Sequence, residues 1–194
     1  MQKKVQVGQK LQPFSLVTIK GESLTVPDPA SKFTHLQFRR FAGCPICNFH
    51  LHTFSKSADA LKAAGIREVV LFHASVAEMQ KYQRDIPFAA VADPERRFYK
   101  RFGVERSWLA VLHPKALWAS VKGTLLGKVG LKMENGPLGL PADILVDRSG
   151  TVVAVKYGTH AYDQWEVPEL LASSDGFLTI AAAPTRAAGN HRLG

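Results

Sequence analysis

The chain has 194 residues, 46% hydrophobic and 21% charged, and carries +9 at pH 7 from 25 Lys and Arg against 16 Asp and Glu. That length and composition support a full buried core without disulfide or metal staples, and exclude a mostly disordered chain; Gly and Pro without period exclude a collagen-like one. No uninterrupted apolar run reaches a membrane span, since the longest candidate, 108–129, is broken by His113, Pro114, Lys115, Lys122, Gly123 and Lys128.

Residues 1–13 read as an arm, with Lys3 and Lys4 but no apolar stretch of the secretory kind behind them. The expected location is therefore the cytoplasm, where thiols stay reduced. A short apolar run at 14–19 and the turn signal Lys20-Gly21-Glu22-Ser23 predict an N-terminal hairpin. Val26-Pro27-Asp28-Pro29 is a loop, because two prolines remove donors and fix φ. In the strand at 34–41, His35-Leu36-Gln37-Phe38 alternates polar and apolar residues.

Gly43-Cys44-Pro45-Ile46-Cys47 comes next. Apolar positions then fall at 47, 51, 54, 58 and 61, the stripe of a core-facing helix. Pro45 is suited to open that helix and Gly65 to end it, giving about five turns. Residues 68–72 predict a buried parallel strand, and Ser75 an N-cap for a helix reaching Tyr82. A strand at 88–92 leads to Asp93-Pro94-Glu95, a helix start with Pro94 first and Gly103 after the end. On it, Phe98 and Phe102 point inward, while Arg96, Arg97, Lys100 and Arg101 form a solvated basic face.

Residues 107–129 read as helical and apolar, broken at Pro114, and 130–141 as a Gly/Pro-rich connection. Ile144–Val146 and Val152–Lys156 flank Asp147-Arg148-Ser149-Gly150, a hairpin with a four-residue loop. Val167–Ala172 is a final helix, and 181–194 a flexible tail. Strands alternating with helices predict an α/β fold: a central, mainly parallel sheet with helices on both faces, made mixed by the last hairpin.

The two cysteines of the chain, Cys44 and Cys47, carry the chemistry. A C-x-x-C at a strand-to-helix junction is suited to reversible disulfide formation. With Pro45 first in the helix, Cys44 is the N-cap and Cys47 the third helical residue. Free N–H groups and the partial positive charge there stabilise a thiolate, the nucleophilic form. Arg39 and Arg40, just upstream, are candidates to lower the thiol pKa further. A structural disulfide is disfavoured by the tiny loop and the reducing compartment. A metal site is disfavoured because His50 and His52 bring no second C-x-x-C or H-x-x-x-H.

The segment 38–47, Phe-Arg-Arg-Phe-Ala-Gly-Cys-Pro-Ile-Cys, resembles the peroxiredoxin-like branch of the thioredoxin superfamily, the C-x-x-C-containing alkyl-hydroperoxide-reductase/thiol-specific-antioxidant (AhpC/TSA) group. The resemblance continues through Asp93-Pro94 to Tyr99 and Phe102-Gly103, and through Leu140-Pro141 to Asp147 and Gly150, covering roughly 10–172 in order. It implies a thioredoxin-like, peroxiredoxin-type fold in one domain over 1–180. An inserted helical segment around 106–133 is part of it. It also implies that Pro141, after Leu140, is cis and faces the cysteines. Typical members carry Pro-x-x-x-Thr-x-x-Cys at the peroxide-reactive cysteine. Counted back from Cys47, Arg40 stands at the Pro position and Cys44 at the Thr position. Cys47 thus matches the peroxide-reactive cysteine, whereas Cys44 matches the attacking cysteine of thioredoxins, and the two likenesses assign opposite roles.

Other residues carry weaker signals. His73 ends an apolar strand and reads as a partly buried structural histidine. Asp143 and Asp147 suggest a carboxylate pair, although Asp147 is more simply a turn residue. Residues 157–160 read either as a wall of the cysteine pocket or as a surface loop, and Trp108, Trp118 and Trp165 as core. There is no Gly-rich phosphate loop.

The expected function is thiol–disulfide redox catalysis by a Cys44/Cys47 dithiol–disulfide couple, with a peroxide or a protein disulfide as oxidant. A dithiol reductant such as thioredoxin or glutathione would restore it, with no flavin, haem or metal. The alternative is a non-catalytic thioredoxin-fold sensor or adaptor whose disulfide state gates a partner. Nucleic-acid binding lacks a recognition-helix signature. The resemblance admits a homodimer, and nothing in the chain selects its surface.

Overall fold

The computed structural model describes residues 3–104 and 139–182, with side chains through Phe177. The expected insert at 106–133, with Trp108 and Trp118, lies outside the described residues. A hairpin of β1 (Phe14–Val17) and β2 (Ser23–Val26) precedes a five-stranded sheet. Its strands are β3 (Phe33–Arg39), β4 (Ile66–Phe72), β5 (Ala89–Ala92), β6 (Ala142–Asp147) and β7 (Val152–Tyr157), in the order β5-β4-β3-β6-β7. β3, β4 and β5 run parallel, while β6 and β7 run antiparallel, so the sheet is mixed as predicted. The helices are α1 (Pro45–Lys56), α2 (Ala58–Ala63), α3 (Val76–Gln83), α4 (Arg97–Arg101) and α5 (Val167–Ala182). None is long and apolar enough to cross a membrane.

β3 sits at the centre because neighbours pair along both its edges and helices cover both its faces. All seven residues are buried, polar and apolar alike. On one face Leu36, Phe38, Val69, Leu71, Ile144 and Val146 pack with Tyr99 and Phe102 of α4 and with Leu16 and Val26 of the hairpin. On the other, Phe33, Ile66 and Leu145 meet Phe54, Leu61 and Leu170, while Val70, Phe72 and Ala90 meet Cys47, Leu51 and Met79. Each fully buried Leu or Phe stabilises by about 1.5–3 kcal/mol. His35, Gln37 and Arg39 share this second face and lie buried under α1.

Three boundaries differ from expectation. The five-turn helix is two, broken at Ser57, whose N–H bonds to the carbonyls of Phe54 and Ser55. Thr53 and Ser55 donate their hydroxyls to the carbonyls of Phe49 and Leu51, four residues back, a habit that weakens a helix end. α4 starts at Arg97 rather than Pro94. Residues 93–96 form a turn, and Asp93 caps the helix by accepting from the N–H groups of Arg97 and Phe98. α5 outruns the predicted 167–172 and continues through Ala182, past the expected start of the tail at 181; residues 183–194 lie outside the described residues.

Candidate active site

The thiols sit where β3 hands over to α1. Cys44 is the N-cap, with extended backbone, and Pro45 occupies the first turn. Cys44 Sγ accepts from the N–H of Cys47 at 3.4 Å, and the Cys47 thiol donates to it across 3.0 Å. Arg40 brings a guanidinium nitrogen to 3.8 Å from Cys44 Sγ and lies over the Phe41 ring. Both cysteines are free thiols, 0% and 1% exposed.

This arrangement drives the two thiols apart. Burial pushes Cys44 up. The Cys47 hydrogen bond, the Arg40 charge and the N–H groups of Cys47 and Ile46 outweigh it and bring Cys44 down to about 7. Burial also pushes Cys47 up, and the bond to Cys44 with its negative charge pushes it well above the ordinary thiol range. When the pair loses its first proton, these forces leave the remaining one on Cys47 and the negative charge on Cys44.

Arg40 and Pro45 stand where the sequence placed them. Arg39 does not: alternation along β3 turns it under α1, where it bonds to Gln37 and Asp143 instead of a thiol. Leu140 and Pro141 lead into β6. A Cβ at Gly139 would lie 2.9 Å from His73 Nε2 and 3.6 Å from Arg40 Cγ, so only glycine lets this segment approach the site so closely. Pro141 packs its ring on Gly158 and accepts the Gly158 N–H at 2.9 Å. Its peptide bond is not cis; the cis bond among the described residues is Val26–Pro27, in the loop before β3.

His73 is fully buried rather than partly, edge-on to Tyr99 with ring centroids 5.6 Å apart. The carboxylate-pair reading of Asp143 and Asp147 fails. Asp147 serves its turn, accepting from Ser149 and from the Thr151 N–H, while Asp143 is fully buried. In residues 157–160, Tyr157 bonds to Val5 and Phe102, Gly158 to Pro141, and Thr159 to Asp163. Just beyond them Ala161 and Tyr162 join the cluster around the cysteines.

Sequence reasoning missed the supporting shell. Tyr99 Oη bonds to the carbonyl of Arg39 at 2.5 Å and of Leu71 at 2.8 Å, holding the ends of β3 and β4 together. Gln83 Nε2 donates to Asn48 Oδ1 and to the Ala42 carbonyl, fixing α1 and the cysteine loop to α3. Under α1 a closed ring of side chains runs Arg39–Gln37–Glu68–His35–Asp143. Burial alone would lower His35, but the Glu68 charge and the bonds to Asp143 and Glu68 raise it to about 9. Asp143 is held well below the carboxylate range, since burial is outweighed by the Arg39 charge and the His35 bond. The signal for this ring was the charge pattern itself: two basic residues, His35 and Arg39, on β3, with Glu68 on one neighbouring strand and Asp143 on the other. Among the described residues no three His, Cys, Asp or Glu side chains are grouped to hold a metal.

A family model described as "AhpC/TSA antioxidant enzyme" matches residues 53–160, more than half of the chain. The chain therefore belongs to the AhpC/TSA antioxidant enzyme family, a peroxiredoxin-like group of the thioredoxin superfamily, and is an oxidoreductase. The matched stretch begins after Cys47, so the reading of the thiol pair stands on its own geometry.

No curated protein sequence matches the chain. Solved structures resemble its fold. The peroxidoxin BcpB of Mycobacterium tuberculosis aligns with TM-score 0.60 and 16% identity over 92% of this chain and 98% of that one. A cysteine-to-serine mutant of peroxiredoxin 6 from Arenicola marina gives 0.68 and 15%, over 92% and 76%. The reduced 2-Cys peroxiredoxin of Plasmodium vivax gives 0.66 and 14%, over 93% and 88%.

Proposed function

We propose that the protein reduces peroxides with Cys44 as attacking thiolate and Cys47 as resolving thiol. The observation that carries this reading is the pair itself: two sulfurs 3.0 Å apart on one helical turn, with Arg40 at 3.8 Å from the N-cap sulfur. The thiolate of Cys44 attacks one oxygen of the peroxide, forming an S–O bond and breaking the O–O bond. The leaving alkoxide or hydroxide takes a proton and departs as alcohol or water. Cys47 then attacks the Cys44 sulfenic sulfur, forming the S–S bond and releasing water with its own proton. A dithiol such as thioredoxin, or two glutathione thiols, returns the two electrons.

Burial favours a peroxide over a protein disulfide as oxidant. A sulfur that is 0% exposed admits a small molecule more readily than the strand of another protein. A pair that must be returned to the dithiol after each turnover suits a reducing compartment such as the cytoplasm.

The test is the rate of oxidation of the reduced protein by hydrogen peroxide, followed by quench and intact mass. The wild type is expected to form an internal disulfide orders of magnitude faster than free cysteine reacts. Cys47→Ser is expected to stop at a sulfenic acid on Cys44, and Cys44→Ser to react no faster than a free thiol. A wild type as slow as free cysteine would overturn peroxidase function. A fast Cys44→Ser that accumulates a Cys47 sulfenic acid would reverse the two roles.

A further inference from the structure

We propose that Asp143 is a positioning residue for the Cys44 thiolate, tying the end of β3, which carries Arg40, to α1, which carries Cys47. Its two oxygens serve different elements. Oδ1 accepts from Arg39 at 2.8 Å and from His35 Nε2 at 3.2 Å. Oδ2 accepts the N–H of Trp165 at 3.1 Å, and the carbonyl of Trp165 accepts from His50 Nε2 at 2.7 Å. His50 lies on α1, three residues beyond Cys47, and Arg39 lies immediately before Arg40. One fully buried carboxylate thus reaches the guanidinium-bearing strand end directly and the thiol-bearing helix through the backbone N–H and C=O of a single residue, Trp165.

Arg40 stands at 3.8 Å from Cys44 Sγ, where distance matters. Widening that gap by about 1 Å weakens the charge attraction enough to lower the acid dissociation constant of the thiol roughly fourfold at an effective dielectric of ~20. Small slips between β3 and α1 are therefore chemically visible. Tyr99 joins β3 to β4, and Gln83 joins α1 to α3, whereas the Asp143 relay runs from β3 to α1. The titratable and charged groups about the pair, among the described residues, are Arg39 and Arg40 at the end of β3 and Cys47 and His50 on α1. His73 after β4, Tyr99 on α4, and Tyr82 and Tyr162, which pack against the cysteine cluster, belong with them.

Sign separates positioning from simple electrostatics. Asp143→Asn removes a negative charge and leaves Arg39 and His35 positive. Charge alone would then favour the thiolate and move the Cys44 titration down. Loss of the tie moves it up, because Arg40 drifts from the sulfur. His50→Phe offers a second variant with no change of charge: burial and the Arg39 charge hold His50 near 3, so it is neutral at working pH. Its ring already lies 4.6 Å from that of Phe54, so a phenyl ring has a place to pack.

The inference rests on Cys44 being the thiolate beside Arg40. The primary readout is therefore the thiolate's ultraviolet absorbance titrated against pH without peroxide, which stands whether or not the peroxidase reading holds. Asp143→Asn and His50→Phe are each expected to raise the Cys44 midpoint. At pH 7 the thiolate fraction should fall from about one half to about one fifth and recover at alkaline pH. In an Arg40→Met background neither is expected to shift the midpoint further. A midpoint unchanged or lowered in Asp143→Asn, or unchanged in His50→Phe, overturns the proposal. Should Asp143→Asn fail to fold, His50→Phe decides.

Discussion

Two buried charged sites lie on either side of the first turns of α1, and they are balanced differently. At the thiol end one anion is held by one guanidinium at 3.8 Å and by backbone N–H groups, with a neighbouring thiol keeping the only mobile proton. In the ring beneath, two cations and two carboxylates close on one another, every charge at hydrogen-bond distance from an opposite one or its amide neighbour. The first site is poised: removing or adding one proton changes its reactivity. The second is locked, and changing one of its members strands a charge in a low-dielectric interior. Burial alone therefore does not tell a reactive charge from a structural one; the count of compensating partners does.

The comparison can be broken most sharply at the thiol. Cys44→Ser should reduce peroxide turnover more than about a thousandfold, roughly 4 kcal/mol, while thermal unfolding moves little. A stable Cys44→Ser protein that still turns over would place the chemistry elsewhere. Glu68→Leu should show the reverse. It leaves two buried cations, His35 and Arg39, on the single carboxylate of Asp143, and should cost about 3–5 kcal/mol in denaturant unfolding while the Cys44 titration stays in place.

pH probes the same ring without mutation. His35 is raised from 6.5 to about 9 in the folded state, so its stabilisation is complete below pH 6.5 and is lost as pH climbs through 9. That loss, on the order of 3 kcal/mol, should appear in melting curves between neutral and alkaline pH and be absent from His35→Leu. Over the lower part of this range the oxidation rate should rise, since the Cys44 thiolate forms near pH 7. A rate that falls in step with stability would show the two sites to be one.

Arg40→Met should slow oxidation at pH 7 about tenfold, equivalent to about 1.4 kcal/mol, and the wild-type rate should return at alkaline pH. A rate that stays low at alkaline pH would mean that Arg40 serves the peroxide rather than the thiol. The smallest expected effect is a control at a helix cap that belongs to neither site. Ser75 caps α3 by accepting the Glu78 N–H, and Ser75→Ala should cost about 1 kcal/mol of stability with no change in thiol titration.

Much of this was readable from the chain. The order of strands and helices, the N-cap position of Cys44 and the place of Pro45 follow from periodicity and from the chemistry of helix ends. Arg40 was legible as a neighbour of the thiol, and Arg39 was misread with it. Two adjacent strand residues point to opposite faces, and a motif quoted as one string hides that alternation. The burial of His35 and Gln37 has a related cause. Alternation marks two environments, and on β3 the polar side faces a second interior in place of solvent. Tyr99 was passed over because its one-residue neighbours Phe98 and Lys100 fit an amphipathic pattern, whereas its function depends on carbonyls sixty and twenty-eight residues away. Asp143 needed the antiparallel register of β6 against β3, which no local signal supplies.

The cysteines share one turn of α1, with the two sulfurs already 3.0 Å apart. Any bond between them closes within a single chain and as a first-order event. Its rate is then independent of how dilute the protein is. When an oxidised Cys44 is at risk of a second oxidant molecule, the outcome is a race between an intramolecular closure and a bimolecular collision. The winner is set by oxidant concentration alone, so dose rather than protein abundance would fix how often the site is lost.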